Sequence, residues 1–181
     1  MLKTQPLIKA TGFTLIELMI GITILAIVMA MGMPSYSVWI QNMRLRNAAE
    51  SILNGLQLAR AEAVRRNASV QFILVTGSSW CVTATADCTD PIQSRATGDG
   101  SSAAITVTAA DGTTVRFNSL GRRTLPLPAA GASTAINVDI NPAVLSAAES
   151  RDLRITVNVG GNIRMCDPNV PVTVPPDSRA C

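Results

Sequence analysis

Imidazole chemistry is closed to this sequence. Its 181 residues contain no histidine, and its only lysines are Lys3 and Lys9. Ser-His and Cys-His nucleophile pairs and imidazole metal ligands are therefore excluded, and a serine-lysine pair has almost nothing to draw on. Four cysteines remain, Cys81, Cys88, Cys166 and Cys181, with no C-x-x-C pair among them of the kind a zinc site favours. Asp87 and Asp90 could face one cation, but they lack the spacing of an EF-hand. Gly98-Asp99-Gly100-Ser101-Ser102-Ala103 satisfies G-x-G-x-x-A without a strand before it or a helix after it, so it reads as a loop. No two carboxylates stand out as an acid and base pair. The expectation is a nonenzymatic chain with no cofactor and no metal.

The residue that demands an explanation is Glu17. From Phe13 to Met33 the sequence runs FTLIELMIGITILAIVMAMGM, 21 residues with this single charge. A helix of that length spans about the 30 Å of a bilayer's hydrocarbon core. A carboxylate there costs about 2 to 3 kcal/mol on insertion scales and calls for a cationic partner. No lysine or arginine lies between Lys9 and Arg44, which leaves an α-amino group. Cleavage after Gly12 creates one on Phe13, poised to pair with Glu17 within one helix or between adjacent subunits. Lys3 and Lys9, with no acid beside them, predict a cytoplasmic N-terminal flank and the bulk of the chain outside. An ordinary secretory signal would need a cleavage site after its apolar run, and Ala30-Met31-Gly32 is a poor one. An ordinary single-pass anchor gives no reason for the carboxylate.

The elements that must hold these residues follow from periodicity. Pro34, at the far end of the apolar run, lacks an N–H and is expected to kink or locally unwind the helix. Beyond it Leu45, Ala49, Ile52, Leu56, Ala59 and Ala63 recur at three and four residue steps, with Arg46, Glu50, Asn54 and Gln57 on another face. The helix is predicted to end near Asn67 or Ala68, about 55 residues and roughly 80 Å in all. After Ser69 the period becomes two, over Ser69 to Val75, Trp80 to Thr85, Ile105 to Ala109, Thr113 to Asn118, Ala135 to Ile140 and Leu153 to Val159. Asp111-Gly112 and Gly160-Gly161 predict hairpins. Loops are expected over Asp87 to Ser102 and Pro126 to Ser133, and an irregular tail over Val170 to Cys181. The fold expected is α+β, a long N-terminal helix packed on a small antiparallel β domain. Its parts are a leader over 1–12, a membrane helix over 13–33, its amphipathic continuation over 34–68 and a β domain over 69–181.

All four cysteines fall in the part expected outside the membrane, where oxidation is permitted. Three pairings exist, and proximity in sequence favours Cys81 with Cys88 and Cys166 with Cys181. A bridge from Cys166 to Cys181 would constrain the unfolded chain by about 3 kcal/mol in the entropy model and pin the tail.

Gly12-Phe13-Thr14-Leu15-Ile16-Glu17-Leu18, behind a short basic leader and ahead of an unbroken apolar helix closed by Pro34, is similar to the class III signal of type IV pilins and type II secretion pseudopilins. The resemblance implies cutting between Gly12 and Phe13 by a prepilin peptidase and N-methylation of Phe13. It also implies that Glu17 meets the Phe13 amine of a neighbouring subunit in a filament core. Three further stretches, Leu58-Ala59-Arg60-Ala61-Glu62-Ala63-Val64-Arg65-Arg66-Asn67, Val115-Arg116-Phe117-Asn118-Ser119-Leu120-Gly121-Arg122 and Ile163-Arg164-Met165-Cys166-Asp167-Pro168, resemble the GspH/FimT family of minor pilins and pseudopilins. What this implies is an inner-membrane subunit with its β domain in the periplasm, which then enters a pilus or pseudopilus. The implied partners are the peptidase, other minor and major pilins or pseudopilins, the inner-membrane assembly platform and membrane lipid. Members serve type IV pilus biogenesis, with its twitching motility or DNA uptake, or type II secretion.

Some FimT-like members bind DNA in natural transformation through Gly-Arg-x-Arg. The matching stretch here, Gly161-Asn162-Ile163-Arg164, has asparagine in place of the first arginine. Arg122, Arg123 and Arg179 could join Arg164 on a phosphate-binding surface if the fold gathers them. Without Lys3 and Lys9 the chain has 13 arginines against 12 acids, which is not the balance of a committed nucleic-acid binder. The plainer expectation is that Arg122 and Arg123 are solvated, that Arg65 and Arg66 complement a helix C-terminus, and that Trp80 and Phe117 belong to the core. Tyr36 and Trp39 suit the membrane interface or the packing of neighbouring helices.

Overall fold

The computed structural model describes residues 12–125, 133–173 and 177–181, without the Pro34 side chain. The basic leader with Lys3 and Lys9, most of the Pro126 to Ser133 loop and residues 174–176 of the tail lie outside the described residues. The chain divides into two units, Met1–Ser37 and Val38–Cys181.

A single helix, α1 (Leu15–Arg66), runs through most of the described part of the first unit and opens the second. It continues through Pro34, so the local unwinding expected there does not occur. Proline withholds one donor, and the hydrogen bonds on either side hold the remaining turns. The helix ends with Asn67 in the left-handed conformation at φ 49°. The Ala68 N–H donates to the Ala63 carbonyl and the Asn67 N–H to the Val64 carbonyl, both at 3.2 Å, the paired bonds of a Schellman stop. In its last turns Glu62 accepts from Arg65 and Arg66 at 2.6 and 2.7 Å. The Arg65 hydrogen bond, then that of Arg66, holds the Glu62 carboxyl at about 2, below its ordinary 4.5.

In the second unit the α1 stripe of Leu45, Ala49, Ile52, Leu56, Ala59 and Ala63 is fully buried. It joins a hydrophobic core with residues from both of two sheets, which hold nine strands among the described residues. The first sheet contains β1 (Val70–Leu74), β2 (Trp80–Thr83), β3 (Gln93–Arg95), β5 (Thr114–Phe117) and β6 (Arg123–Leu125), ordered β3-β2-β1-β5-β6. The second contains β4 (Ile105–Ala109), β7 (Thr134–Ile140), β8 (Leu153–Val157) and β9 (Ile163–Cys166), ordered β4-β7-β8-β9. Every strand pair is antiparallel. Burial alternates strictly along β7, as a sheet with one face on the core requires.

Asp111-Gly112 does not close a hairpin. β4 pairs with β7 and β5 with β1, so this turn carries the chain from one sheet to the other. Gly160-Gly161 does join neighbouring strands, β8 and β9. The loop expected over Asp87 to Ser102 contains β3, whose three polar residues hydrogen-bond to β2.

Two close approaches fix the packing. A Cβ on Gly55 would lie 2.7 Å from Phe72 Cε2 and 3.1 Å from the Trp80 ring, so glycine is what lets α1 reach the first sheet. Trp80, tilted against Phe72 at 5.6 Å, also donates its Nε1–H to Ser51 Oγ on α1 at 2.9 Å. Trp80 and Phe117 are both core residues. At the other approach the β5–β6 and β8–β9 turns meet. Asn118 Oδ1 accepts from the Leu120 and Arg122 N–H groups and Asn158 Oδ1 from that of Asn162, an asparagine bracing each turn. Gly121 and Gly161 then take φ of 70° and 79°, and a Cβ on Gly161 would collide with the Gly121 carbonyl oxygen.

Disulfides join Cys81 to Cys88 and Cys166 to Cys181. The second closes a separation of 15 residues, worth about 3 kcal/mol in the chain-entropy model.

Gly161→Ala is expected to destabilise the protein by at least about 2 kcal/mol in urea unfolding, from left-handed strain plus overlap. Gly160→Ala, whose Cβ would meet only Asn158 Oδ1 at an ordinary 3.4 Å and whose φ is not left-handed, stays within about 0.5 kcal/mol. Because the Glu62 pKa is lowered on folding, its contribution is complete above pH 4.5 and fades as pH falls towards 2. Glu62→Gln should therefore flatten that part of the acid-unfolding curve.

Candidate functional site

Helix α1 begins with a cap that its sequence encodes. Thr14 precedes the first helical residue, and its Oγ1 accepts the Glu17 N–H at 3.2 Å while its carbonyl accepts the Leu18 N–H at 3.1 Å. Thr14-Leu15-Ile16-Glu17 has the spacing of a capping box, a signal that the hydropathy reading passed over. Glu17 thus stands in the first turn, where the helix dipole favours a negative charge. Gly12 and Phe13 lie directly ahead of it, outside the helix.

From Leu15 to Met33 the helix is a candidate membrane span of 19 residues with mean hydropathy 2.4, and none of it is buried. Phe13 is 83% exposed and Met31 78%. The span contains two side chains that form hydrogen bonds in water, Glu17 and Thr23. Thr23 Oγ1 donates back to the Met19 carbonyl at 2.7 Å. Among the described residues no donor is hydrogen-bonded to the Glu17 carboxylate. The Leu15–Met33 span therefore presents an apolar surface all round with one carboxylate awaiting a donor in its first turn.

The four arginines considered for phosphate binding are not equivalent. Arg122 and Arg164 are exposed, and Arg164 Nη2 donates to the carbonyls of Ser178 and Ala180, both at 2.8 Å. Arg179 is paired with Asp177 at 2.8 Å, which holds that carboxyl at about 2. Arg123 is buried, and this takes it out of any surface. Its Nη1 donates to Thr134 Oγ1 at 2.9 Å, and that hydroxyl donates to Asp111 Oδ2 at 2.9 Å. Desolvation pushes the Arg123 pKa down and the Asp111 charge pulls it back up. The triad ties β6 of the first sheet to β7 of the second and to the turn between β4 and β5. Asp87 is likewise engaged, accepting the Thr89 hydroxyl at 2.7 Å, which lowers its pKa. Among the described residues no three His, Cys, Asp or Glu side chains cluster to hold a metal.

A long N-terminal helix, apolar at its start and laid on antiparallel sheets in the second unit, is a type IV pilin-like α+β fold. The model of the family described as "Type II transport protein GspH" matches residues 48–161, and that of the prokaryotic N-terminal methylation motif matches residues 8–33. The chain belongs to the GspH family. The type IV minor pilin FimU of Pseudomonas aeruginosa is similar in structure in two crystal forms. One has TM-score 0.54 and 17% identity, covering 67% of this chain and 87% of FimU. The other has TM-score 0.53 and 16% identity, covering 66% and 90%. The minor pseudopilin EpsH of the Vibrio cholerae type 2 secretion system gives TM-score 0.47 and 13% identity, covering 70% of this chain and 99% of EpsH. No curated protein matches significantly.

Arg123→Ala should lower unfolding stability by about 2 kcal/mol or more, because it strips the buried Thr134 hydroxyl of its donor, removes the positive charge facing Asp111 and empties a buried site. Arg122→Ala should change it by less than about 0.5 kcal/mol. A purely surface role for Arg123 would leave both variants equally stable.

Proposed function

We propose that this chain is a minor pilin-type subunit, cut between Gly12 and Phe13 by a prepilin peptidase, methylated on Phe13 and built into a pilus through Glu17. The observation carrying this reading is the Glu17 carboxylate, without a hydrogen-bond donor among the described residues, in the first turn of the exposed apolar span Leu15–Met33. An amine on Phe13 of an adjacent subunit supplies the missing charge, and the apolar sleeves of neighbouring helices supply the burial. Before assembly the chain sits in the inner membrane with its leader in the cytoplasm and its β domain in the periplasm, where the two disulfides form. Its role is structural, starting or tipping the filament while the β domain presents contacts to other subunits and to the assembly platform. Pro34 lies at the end of the packed segment.

A secretion pseudopilus uses the same chemistry, and the description of the matching family as a type II transport protein favours that second reading. Deleting the gene distinguishes them: loss of surface pili marks the first, and loss of secreted proteins with pili intact marks the second. DNA reception has less support, since Arg123 is buried and Arg164 binds backbone carbonyls.

Intact mass of the protein extracted from membranes should show loss of residues 1–12 and gain of one methyl group. Glu17→Leu should leave membrane insertion intact and reduce incorporation into filaments at least about tenfold, the equilibrium equivalent of 1.4 kcal/mol. An unprocessed chain, or undiminished incorporation of the variant, overturns the proposal.

A further inference from the structure

Among the described residues the second sheet leaves one edge open. Native edges are blunted by shortness, charge, proline or a cover. In the first sheet the edge strands β3 and β6 have three residues each, and β3 carries the charge of Arg95. In the second sheet β9 is covered by the chain's own tail. There the Asp167 N–H donates to the Arg179 carbonyl at 2.7 Å, Asp167 bridges Ala180 in parallel, and Cys166 is bonded to Cys181. The opposite edge, β4, has five residues, and the stretch from Ser101 to Ala110 has neither charge nor proline.

The register fixes which groups face outward. The Asn141 N–H donates to the Ala104 carbonyl at 2.8 Å and the Ala110 N–H to the Ala135 carbonyl at 3.4 Å. Even-numbered residues from 104 to 110 thus point their backbone groups at β7, and by alternation Ile105, Val107 and Ala109 point theirs away. The Ile105 N–H is taken by the Ser102 carbonyl at 3.0 Å. Among the described residues nothing is hydrogen-bonded to the outward groups of Val107 and Ala109.

Beside this edge the sheet carries a row of carboxylates. Thr106 on β4 pairs with Asp139 on β7, and Asp152 stands immediately before Leu153, the β8 partner of Val138. Thr106, Asp139 and Asp152 line a cavity of about 260 Å³, closed in part by Pro142, Leu145 and Ser150. Ser150 Oγ donates to Asp152 Oδ1, whereas the Asp139 carboxylate accepts no side-chain hydrogen bond among the described residues. Burial, and then the Asp152 charge, push the Asp139 carboxyl up against the pull of Arg154. Adjacent strands lie about 4.8 Å apart, so a residue added beyond Thr106 stands about 10 Å from Asp139. A lysine or arginine lying across Thr106 covers that distance.

We propose that β4 is a strand-addition edge, on which an extended segment of a different protein pairs with Val107 and Ala109 and sends a lysine or arginine into the Asp139–Asp152 cavity. Backbone hydrogen bonds give such docking its affinity and the side-chain cavity its selectivity. A second copy is poorly equipped to be the occupant. Its edge-strand arginines are already engaged, Arg95 with the Asp99 carbonyl, Arg123 with Thr134 and Arg164 with the tail. Pairing β4 with β4 would bring no cation to either cavity. The surface does not depend on how the helix is processed or what it assembles into.

Full-length protein in detergent micelles, mixed with the peptide probe Thr-Val-Thr-Val-Lys-Val-Thr-Val-Thr or its counterpart with Glu for Lys, tests this by amide hydrogen exchange and fluorescence anisotropy. The Lys peptide should slow exchange at Val107 and Ala109 and bind about tenfold tighter than the Glu peptide, as opposite charge at an interface requires. Asp139→Asn with Asp152→Asn should bring that ratio close to one with exchange elsewhere unchanged. Thr106→Lys, which supplies the cation internally, should weaken the Lys peptide. Absence of protection by either peptide overturns the proposal, and equal binding of both overturns its basic partner. Protection that rises with protein concentration alone assigns the edge to a second copy and overturns it too.

Discussion

One helix has to satisfy two surroundings, and the rest of the molecule follows from that constraint. Along Leu15–Met33 its apolar side chains point in every direction and none is buried. From Leu45 to Ala63 only one stripe is apolar, and that stripe is sealed against the two sheets. Alanine at 49, 59 and 63, with glycine at 55, keeps the second half thin, so that Phe72 and Trp80 can press against the helix backbone. A bulky side chain at any of these positions would hold the sheets away from the axis.

Where alternation of apolar residues set the structure, it could be read from the chain. The strands that bury every other residue, β7 above all, were legible because an antiparallel sheet with one face on the core imposes a period of two. β3, β6 and β9 were not, because Gln-Ser-Arg, Arg-Thr-Leu and Ile-Arg-Met-Cys are too short to show a period and owe their extended form to a neighbouring strand. Asp111-Gly112 carried a hairpin signal, yet its flanking strands belong to different sheets. The turn chemistry is local, while the choice of partner strand is not.

The same division runs through the candidate site. Glu17 stands out in sequence because charge in an apolar run is costly wherever it lies, and Thr14 three residues earlier marks the start of the helix. Arg122 and Arg123 could not be told apart, since adjacent residues in extended chain face opposite sides and only the second sheet decides which side is inside. The structure turns one outward and makes the other a cross-link between sheets, through Thr134 to Asp111. Gly121 and Gly161 are similar: two ordinary turns in sequence, one joint in space.

The bond between Cys166 and Cys181, with Arg164 gripping the carbonyls of Ser178 and Ala180, has a temporal consequence. Until oxidation fastens the tail over β9, both flanks of the second sheet are raw, and a nascent chain could be zipped up from either side. Once it is fastened, the sheet acquires polarity. Closing that bond thereby protects one flank of the sheet and leaves β4 as the flank still open among the described residues.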